Sequence, residues 1–375
     1  MFEAQTRLTI EGERFCINGR PTCSGTSAEG MLFNVRTVNA TFEDTLGKVR
    51  WWDDDGTHPE NDHAGYGRWR AGESADANTD RFIAALDAYR ACGVLAVNLN
   101  VQGGHPLMGK TEVPEGRGSA GARANGHRDF YHNSGFNADG SIDDAYAERI
   151  GRVVEACDQR GMAVILQLFY FGQDTALADE TAVDNAVDHA VDLVCDRRWH
   201  NVIIEIANEI MAGHYHHAIL KPGRVAELIH RARDRARQQT GLRLPVSTSE
   251  AALNHTGQWT IQQIDEVFSA SDVVLLHGGD DVETGRVGDT SIVADKIELI
   301  RSRGWFAARG RPIVFNESDG AQAMETAFRM GASFGLHTSN QQTMWPPRWG
   351  VWDSRAAWFF RRVRELTGGA GSGRS

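Results

Sequence analysis

The 375-residue chain lacks any apolar run near the ~20 residues a membrane-spanning helix needs, and its start, Met1 to Arg7, has no apolar leader core. These absences speak against a membrane protein. The expected compartment is the cytoplasm, with secretion after removal of a signal segment left open. Cysteine is scarce: Cys16, Cys23, Cys92, Cys157 and Cys195 are odd in number, scattered and without C-x-x-C spacing. That excludes a disulfide framework and a thiolate metal knuckle, and it suits a reducing compartment. Cys92, Cys157 and Cys195 stand near the ends of apolar-periodic segments and are expected as small core residues. Positive charge is also in deficit, with 39 Lys and Arg against 50 Asp and Glu, a formal net charge of −11. Binding to a phosphate backbone is therefore a poor candidate for the main task. No internal repeat is visible, and no G-x-G-x-x-G follows the first expected strand. The last residues, 368–375, form a Gly/Ser-rich tail expected to be flexible.

What is present is a soluble globular composition, 41% hydrophobic and 24% charged, and a regular alternation. The expected strands are Pro21–Ser27, Val94–Asn100, Met162–Leu168, Asn201–Glu209, Leu244–Thr248, Asp272–His277, Pro312–Asn316 and Ala332–His337. Between and after them, helical spacing predicts Thr79–Ala91, Ile142–Arg160, Glu180–Arg197, Pro222–Gly241, Gln258–Ser269, Thr290–Arg303, Gly320–Met330 and Ser354–Leu366. Eight strand–helix units without a linker predict an α/β fold, a single (β/α)8 TIM barrel over residues 1–367. A doubly wound sheet would need a switch point and usually a glycine-rich phosphate turn. The loops after the first two strands are long, about Ala28–Asn78 and Val101–Ser141. In a barrel they would build the rim around the active face.

The chemistry concentrates at two strand ends. Asn201 to Ala207 is a buried-strand pattern that runs into Asn208-Glu209, and Pro312 to Phe315 runs into Asn316-Glu317. A carboxylate at the end of an apolar strand has no packing purpose, because burying an unpaired charge costs several kcal/mol. Glu205, Ala207 and Glu209 share one parity and are expected to face the same side. Two glutamates on strands four and seven can meet across a barrel mouth, as the two carboxyls of a retaining glycosidase must. Glu205 lies deeper and is expected to be structural. The cluster His214-Tyr215-His216-His217, with His277 and Asp280, leaves open a metal-dependent hydrolase or lactonase, but no carboxylate or cysteine stands at ligand spacing. The acidic group Asp53-Asp54-Asp55, Glu60, Asn61 and Asp62 lacks the calcium-loop spacing and is expected to be a solvated rim. Trp51, Trp52, Tyr66 and Trp69 share that loop and could stack on sugars, and Tyr170 and Gln173 end strand three as candidate subsite contacts.

Glu205-Ile206-Ala207-Asn208-Glu209 resembles the E-x-x-N-E motif of clan A retaining glycoside hydrolases, the cellulase- and mannanase-like (β/α)8 enzymes. Phe15-Cys16-Ile17-Asn18-Gly19-Arg20-Pro21 resembles the F-x-x-N-G-x-P lead-in of several members. The resemblance implies Glu209 as acid/base, Glu317 as nucleophile and Asn208 as a contact to the sugar 2-hydroxyl. It places His277 where the clan often has a Tyr or His orienting the nucleophile, and Trp345 or Trp349 where it has an aromatic sugar platform. Asn100, Gln167 and Tyr170 complete the expected substrate-binding set. The chain departs from the clan at Ile210, where proline is frequent, and on the second strand, where Asn98, Asn100 and Gln102 stand and no arginine does. The function implied is cleavage of a β-linked or equivalent equatorial glycoside with retention and without cofactor or metal. The expected partner is a carbohydrate or glycoside, with no nucleic acid and no membrane, and homo-oligomerisation stays open. A non-catalytic carbohydrate-binding barrel is the remaining alternative, disfavoured by the presence of both glutamates.

Overall fold

The apolar runs become the staves of a closed barrel. The computed structural model describes residues 2–41, 74–103, 134–211, 215–251, 253, 259–278, 290–337, 349–352 and 356–369. Trp51, Trp52, Tyr66, Trp69, the acidic group between Asp53 and Asp62, His214, Asp280, Trp345 and residues 370–375 of the tail lie outside the described residues.

Three short strands come first, β1 (Leu8–Glu11), β2 (Arg14–Ile17) and β3 (Arg20–Pro21), paired antiparallel in that order. The barrel strands follow: β4 (Asn34–Arg36), β5 (Ala96–Asn100), β6 (Ala163–Phe169), β7 (Val202–Ala207), β8 (Val246–Ser247), β9 (Ser249–Glu250), β10 (Val274–His277), β11 (Ile313–Ser318) and β12 (Ser333–Leu336). β8 and β9 are two halves of one stave, interrupted at Thr248. The first half pairs in parallel with β7 and the second with β10. With β12 paired to β4, this hand-over closes the sheet into eight parallel staves.

Between the staves run α1 (Ala75–Ala91), α2 (Asp144–Asp158), α3 (Glu180–Asp196), α4 (Val225–Thr240), α5 (Ile261–Ala270), α6 (Thr290–Arg301), α7 (Gly304–Ala308), α8 (Ala321–Arg329) and α9 (Ala357–Thr367). Their starts follow local chemistry. Ser74, Asp143 and Asp179 each accept hydrogen bonds from N–H groups of the first turn, and Thr260 with Gln263 forms a reciprocal capping box. The helix α4 stops where Gly241 takes a left-handed φ of 72°. Val183, Val187, Val191 and Val194 of α3 are all fully buried against the sheet. Covered by helices outside and side chains inside, β6 buries every residue of Ala-Val-Ile-Leu-Gln-Leu-Phe.

Inside the barrel the inward residues form two zones. The lower zone is apolar: Ala96, Ile165, Ile203, Leu275 and Val314 pack together, with Leu8 and Phe15 of the N-terminal strands as a plug. The upper zone is polar and equally dry, with Arg36, Asn98, Gln167, Glu205 and Asn316 all fully buried. The change from apolar to polar along each strand delivers the ionisable groups to the C-terminal mouth.

One expected element is corrected. Pro21–Ser27 is not the first barrel strand; β4 is. Pro21, which has no N–H to donate, ends the small antiparallel sheet, where a missing donor is tolerated. Residues 22–30 then turn the chain back, with Gly30 at φ 84° and its N–H bonded to the Thr22 carbonyl. The first long loop accordingly begins after Arg36, and not at Ala28. All five cysteines are free, four of them buried. No described helix is long and apolar enough to cross a membrane.

Candidate active site

Glu209 and Glu317 meet at the mouth around one imidazole. His277 Nδ1 lies 2.9 Å from Glu209 Oε1 and 3.5 Å from Glu317 Oε2. One side-chain atom from each of the three lies within 4.8 Å of the others. Arg36 Nε stands 2.8 Å from Glu317 Oε2, and His337 Nε2 3.2 Å from Glu317 Oε1. The Nη2 of Arg36 donates to Gln167 Oε1 and to Asn208 Oδ1, each at 2.8 Å. One buried guanidinium thus ties together the ends of β4, β6, β7 and β11.

Backbone irregularities aim these side chains. Adjacent residues of a strand face opposite sides, yet both Asn208 and Glu209 turn to the centre. The strand β7 ends at Ala207, and Glu209 adopts a left-handed φ of 46°, uncommon for a residue with a side chain. The expectation that regular parity carries Glu209 inward is therefore corrected: a turn does it. The stave made of β8 and β9 holds that turn. Ser249 Oγ accepts from the Glu209 N–H at 3.4 Å, the Ser249 carbonyl from the Ile210 N–H at 3.4 Å, and Glu250 Oε2 from the Met211 N–H at 2.7 Å. The same logic serves Asn316 and Glu317. Asn316 Nδ2 donates to Glu205 Oε2 at 3.1 Å, while register shifts on both sides of β11 re-aim Glu317 and pair it with His277. Behind His277, the buried Lys296 of α6 donates to the His277 carbonyl at 2.8 Å and fixes that strand end.

The environment separates the two carboxyls. Burial pushes Glu209 up from the ordinary glutamate value, outweighing the opposing charges of Arg36, His337 and Lys296. Burial acts on Glu317 too, but there the Arg36 charge prevails and holds the carboxyl below its ordinary range. Desolvation also raises Glu205, to about 7, against the pull of Arg36. His277 is pushed down to about 3, chiefly by burial, and is neutral at physiological pH.

Of the residues expected from sequence, Glu209, Glu317, Asn208 and His277 converge. Gln167 is fully buried and spent on Arg36 and the Phe169 carbonyl, so it supports the centre from behind. Asn100 and Tyr170 are 1% exposed, with Asn100 Nδ2 donating to the Gln102 carbonyl and Tyr170 packed on Phe171. Gln173 is buried likewise and donates to the Gly103 carbonyl. Trp349 is a correction: at 5% exposure it packs on Phe82, donates to Asn78 Oδ1 at 3.2 Å and leaves no open face for a sugar. Three residues later on the same loop, Trp352 is 58% exposed. His216 and His217 are anchored through their N–H groups on Asp174 Oδ2. Sequence reading missed Arg36, His337, Ser249 and Lys296. His337 was legible in principle, since it ends the eighth expected strand just as His277 ends the sixth.

Glu209, His277 and Glu317 are also the one histidine–carboxylate group among the described residues close enough to hold a metal ion. The fit is poor, because a divalent ion there would share Glu317 Oε2 with the Arg36 guanidinium 2.8 Å away.

No protein-family model and no curated relative matches the sequence. Solved structures do share its fold. A β-mannanase from the blue mussel Mytilus edulis aligns over 99% of both chains with a TM-score of 0.54 at 12% identity. An endo-1,4-β-mannanase from Eisenia fetida aligns over 96% of both with 0.54 at 10%. A β-glucosidase from Thermotoga maritima covers 90% of this chain and 98% of its own with 0.52 at 10%. The likeness is one of fold: this chain is a (β/α)8 barrel of the architecture seen in clan A glycosidases.

The buried imidazole gives a test of this electrostatic arrangement. Between about pH 5 and 8 the ring nitrogens of His277 are expected not to titrate by ¹⁵N NMR, with the signal assigned by its loss in His277→Asn. A proton that the unfolded chain binds below the ordinary histidine range and the folded chain refuses makes stability fall as pH drops from that range toward about 3. A His277 midpoint near the ordinary histidine value would contradict the dry, cation-flanked geometry.

Proposed function

We propose that the protein is a retaining glycoside hydrolase acting on a β-linked or equivalent equatorial glycoside, with Glu209 as acid/base and Glu317 as nucleophile. The carrying observation is a pair of carboxyls within 4.8 Å whose surroundings shift them in opposite directions, Glu209 up and Glu317 down. Such a split sorts an acid from a nucleophile. The short spacing matches the roughly 5–5.5 Å of retaining enzymes better than the roughly 6.5–9.5 Å that admits a water between carboxyls. The fold supports the same class, since the aligned structures are two β-mannanases and a β-glucosidase.

In the first step the Glu209 carboxyl gives its proton to the glycosidic oxygen as the bond from that oxygen to the anomeric carbon breaks. A Glu317 oxygen bonds to the anomeric carbon from the other face, and the aglycone leaves as an alcohol. In the second, the Glu209 carboxylate takes a proton from water, whose oxygen attacks the same carbon and releases Glu317. Two inversions leave the configuration retained. Asn208 Nδ2 is buried without a hydrogen-bond partner among the described residues and is the proposed donor to the sugar 2-hydroxyl. His277, neutral, keeps the two carboxyls apart without adding charge, and Trp352 is the open indole for an outer sugar. Residues 1–367 act as one catalytic unit.

Incubation with a 2-deoxy-2-fluoro glycosyl fluoride is expected to stop turnover and leave the sugar's mass on the peptide containing Asn316-Glu317-Ser318. A label on Glu209 would reverse the assignment, and NMR evidence of inversion at the anomeric carbon would end the retaining reading.

The variant Glu209→Ala should lose about 10²–10⁴-fold on substrates with poor leaving groups while keeping much of its first step on activated aryl glycosides, with azide restoring turnover as a glycosyl azide. The wild-type rate requires Glu209 protonated and Glu317 ionised. Its basic limb therefore lies above the ordinary glutamate range and its acid limb below it, and the basic limb should vanish in this variant. Equal loss on every substrate without azide rescue would remove Glu209 from the role.

Both steps use carboxyls alone, so dialysis against EDTA should leave turnover unchanged. Activity lost on chelation and regained with a divalent ion would favour a metal-dependent hydrolase instead.

A further inference from the structure

The floor of the barrel carries a second concave surface. A cavity of about 320 Å³ opens between β1 and the N-terminal ends of β7, β8, β10 and β11, the end of the barrel opposite Glu209 and Glu317. Five arginines line it, Arg7, Arg233, Arg237, Arg243 and Arg309, against one carboxylate, Asp272. In a chain with 50 acidic and 39 basic residues, this local excess of positive charge runs against the composition.

The lone carboxylate is already committed. Asp272 Oδ2 lies 3.0 Å from Arg233 Nη2 and accepts from the Val246 N–H at 3.1 Å. Arg237 has Asp234 at 3.6 Å, both largely exposed. Arg7, Arg243 and Arg309 make no side-chain ion pair among the described residues. Two lining residues add unsatisfied polar atoms: Trp199 Nε1 and His200 Nδ1 are buried without a hydrogen-bond partner among the described residues. The indole nitrogen can only donate, and burial with the neighbouring Arg7 holds the imidazole below its ordinary pKa, so the positive charge belongs to the arginines.

We propose that this cavity is an anion site for a phosphate dianion, either free or as the phosphoryl group of a small phosphorylated metabolite. Three guanidinium groups without an ion pair among the described residues exceed what a single carboxylate would neutralise, and their planar donor forks match phosphate oxygens two at a time. The volume falls at the lower end of small-molecule sites, with room for a monosaccharide-sized body beside the phosphoryl group. The site is independent of the reaction at the opposite mouth.

Isothermal titration calorimetry at low salt tests this with inorganic phosphate, glucose 6-phosphate, glucose and sodium chloride matched for ionic strength. Saturable one-site binding is expected for the two phosphates and none for glucose or chloride. Tenfold tighter binding of glucose 6-phosphate assigns the site to phosphorylated metabolites, and parity assigns it to the free anion. The exposed double variant Arg243→Ala/Arg309→Ala should weaken phosphate binding at least tenfold while leaving aryl-glycoside turnover unchanged. Absence of saturable phosphate binding to the wild-type protein would overturn the proposal, and so would binding that the double variant leaves intact.

Discussion

The arrangement at the mouth depends on a single buried cation. Arg36 is fully buried, and an unpaired guanidinium in that position would cost several kcal/mol in lost hydration. Its contacts offset the cost only as a set: Glu317 across 2.8 Å, with Gln167 and Asn208 accepting from the Nη2 side of the fork. Those partners come from three other strands. The packing of the upper barrel and the ionisation of Glu317 are therefore one constraint, since β4, β6, β7 and β11 must end level for the cation to be tolerated. A lysine could carry the charge there but could not span three acceptors with a rigid planar fork.

Around that cation, departures from regular strand geometry do the aiming. A perfect strand alternates its side chains and would present either Asn208 or Glu209 to the centre, never both. The left-handed turn at Glu209 and the register shifts flanking Glu317 break the alternation where two neighbours must converge. Strained conformations persist only where surroundings over-determine them, and β9 supplies that support through Ser249 and Glu250. The interruption at Thr248 belongs to the same design. Its hydroxyl donates to the Ala207 carbonyl at 2.7 Å, at the point where the stave changes partners.

This explains what the sequence could and could not disclose. Helices were legible because caps and apolar stripes are local: Asp179 and the valines of α3 need no knowledge of the rest of the chain. The strand ends carrying Asn208-Glu209 and Asn316-Glu317 stood out because polar residues interrupt apolar runs there. Arg36 was hidden because its strand is three residues long and its upper half is polar, which leaves no apolar periodicity to mark it. The positive φ of Glu209 was equally hidden, since it arises from tertiary hydrogen bonds to a strand forty residues on. Trp349 misled for a related reason: composition marks an indole near a strand end, but whether it faces solvent or Phe82 is decided by the helix packed beside it.

The fixed position of Arg36 has a further consequence for the proposed cycle. At rest the anion is on Glu317 and the proton on Glu209. Once Glu317 becomes an ester it is neutral, and Glu209, having surrendered its proton, is the anion. The total charge of the pocket is the same in both states, so no ion has to be hydrated or dehydrated between them. The negative charge is merely relayed across the few ångströms between the carboxyls, past an uncharged imidazole and under a stationary guanidinium. Such a centre works as an isoelectric exchanger, in which the dry interior that makes each charge costly to create never has to create one.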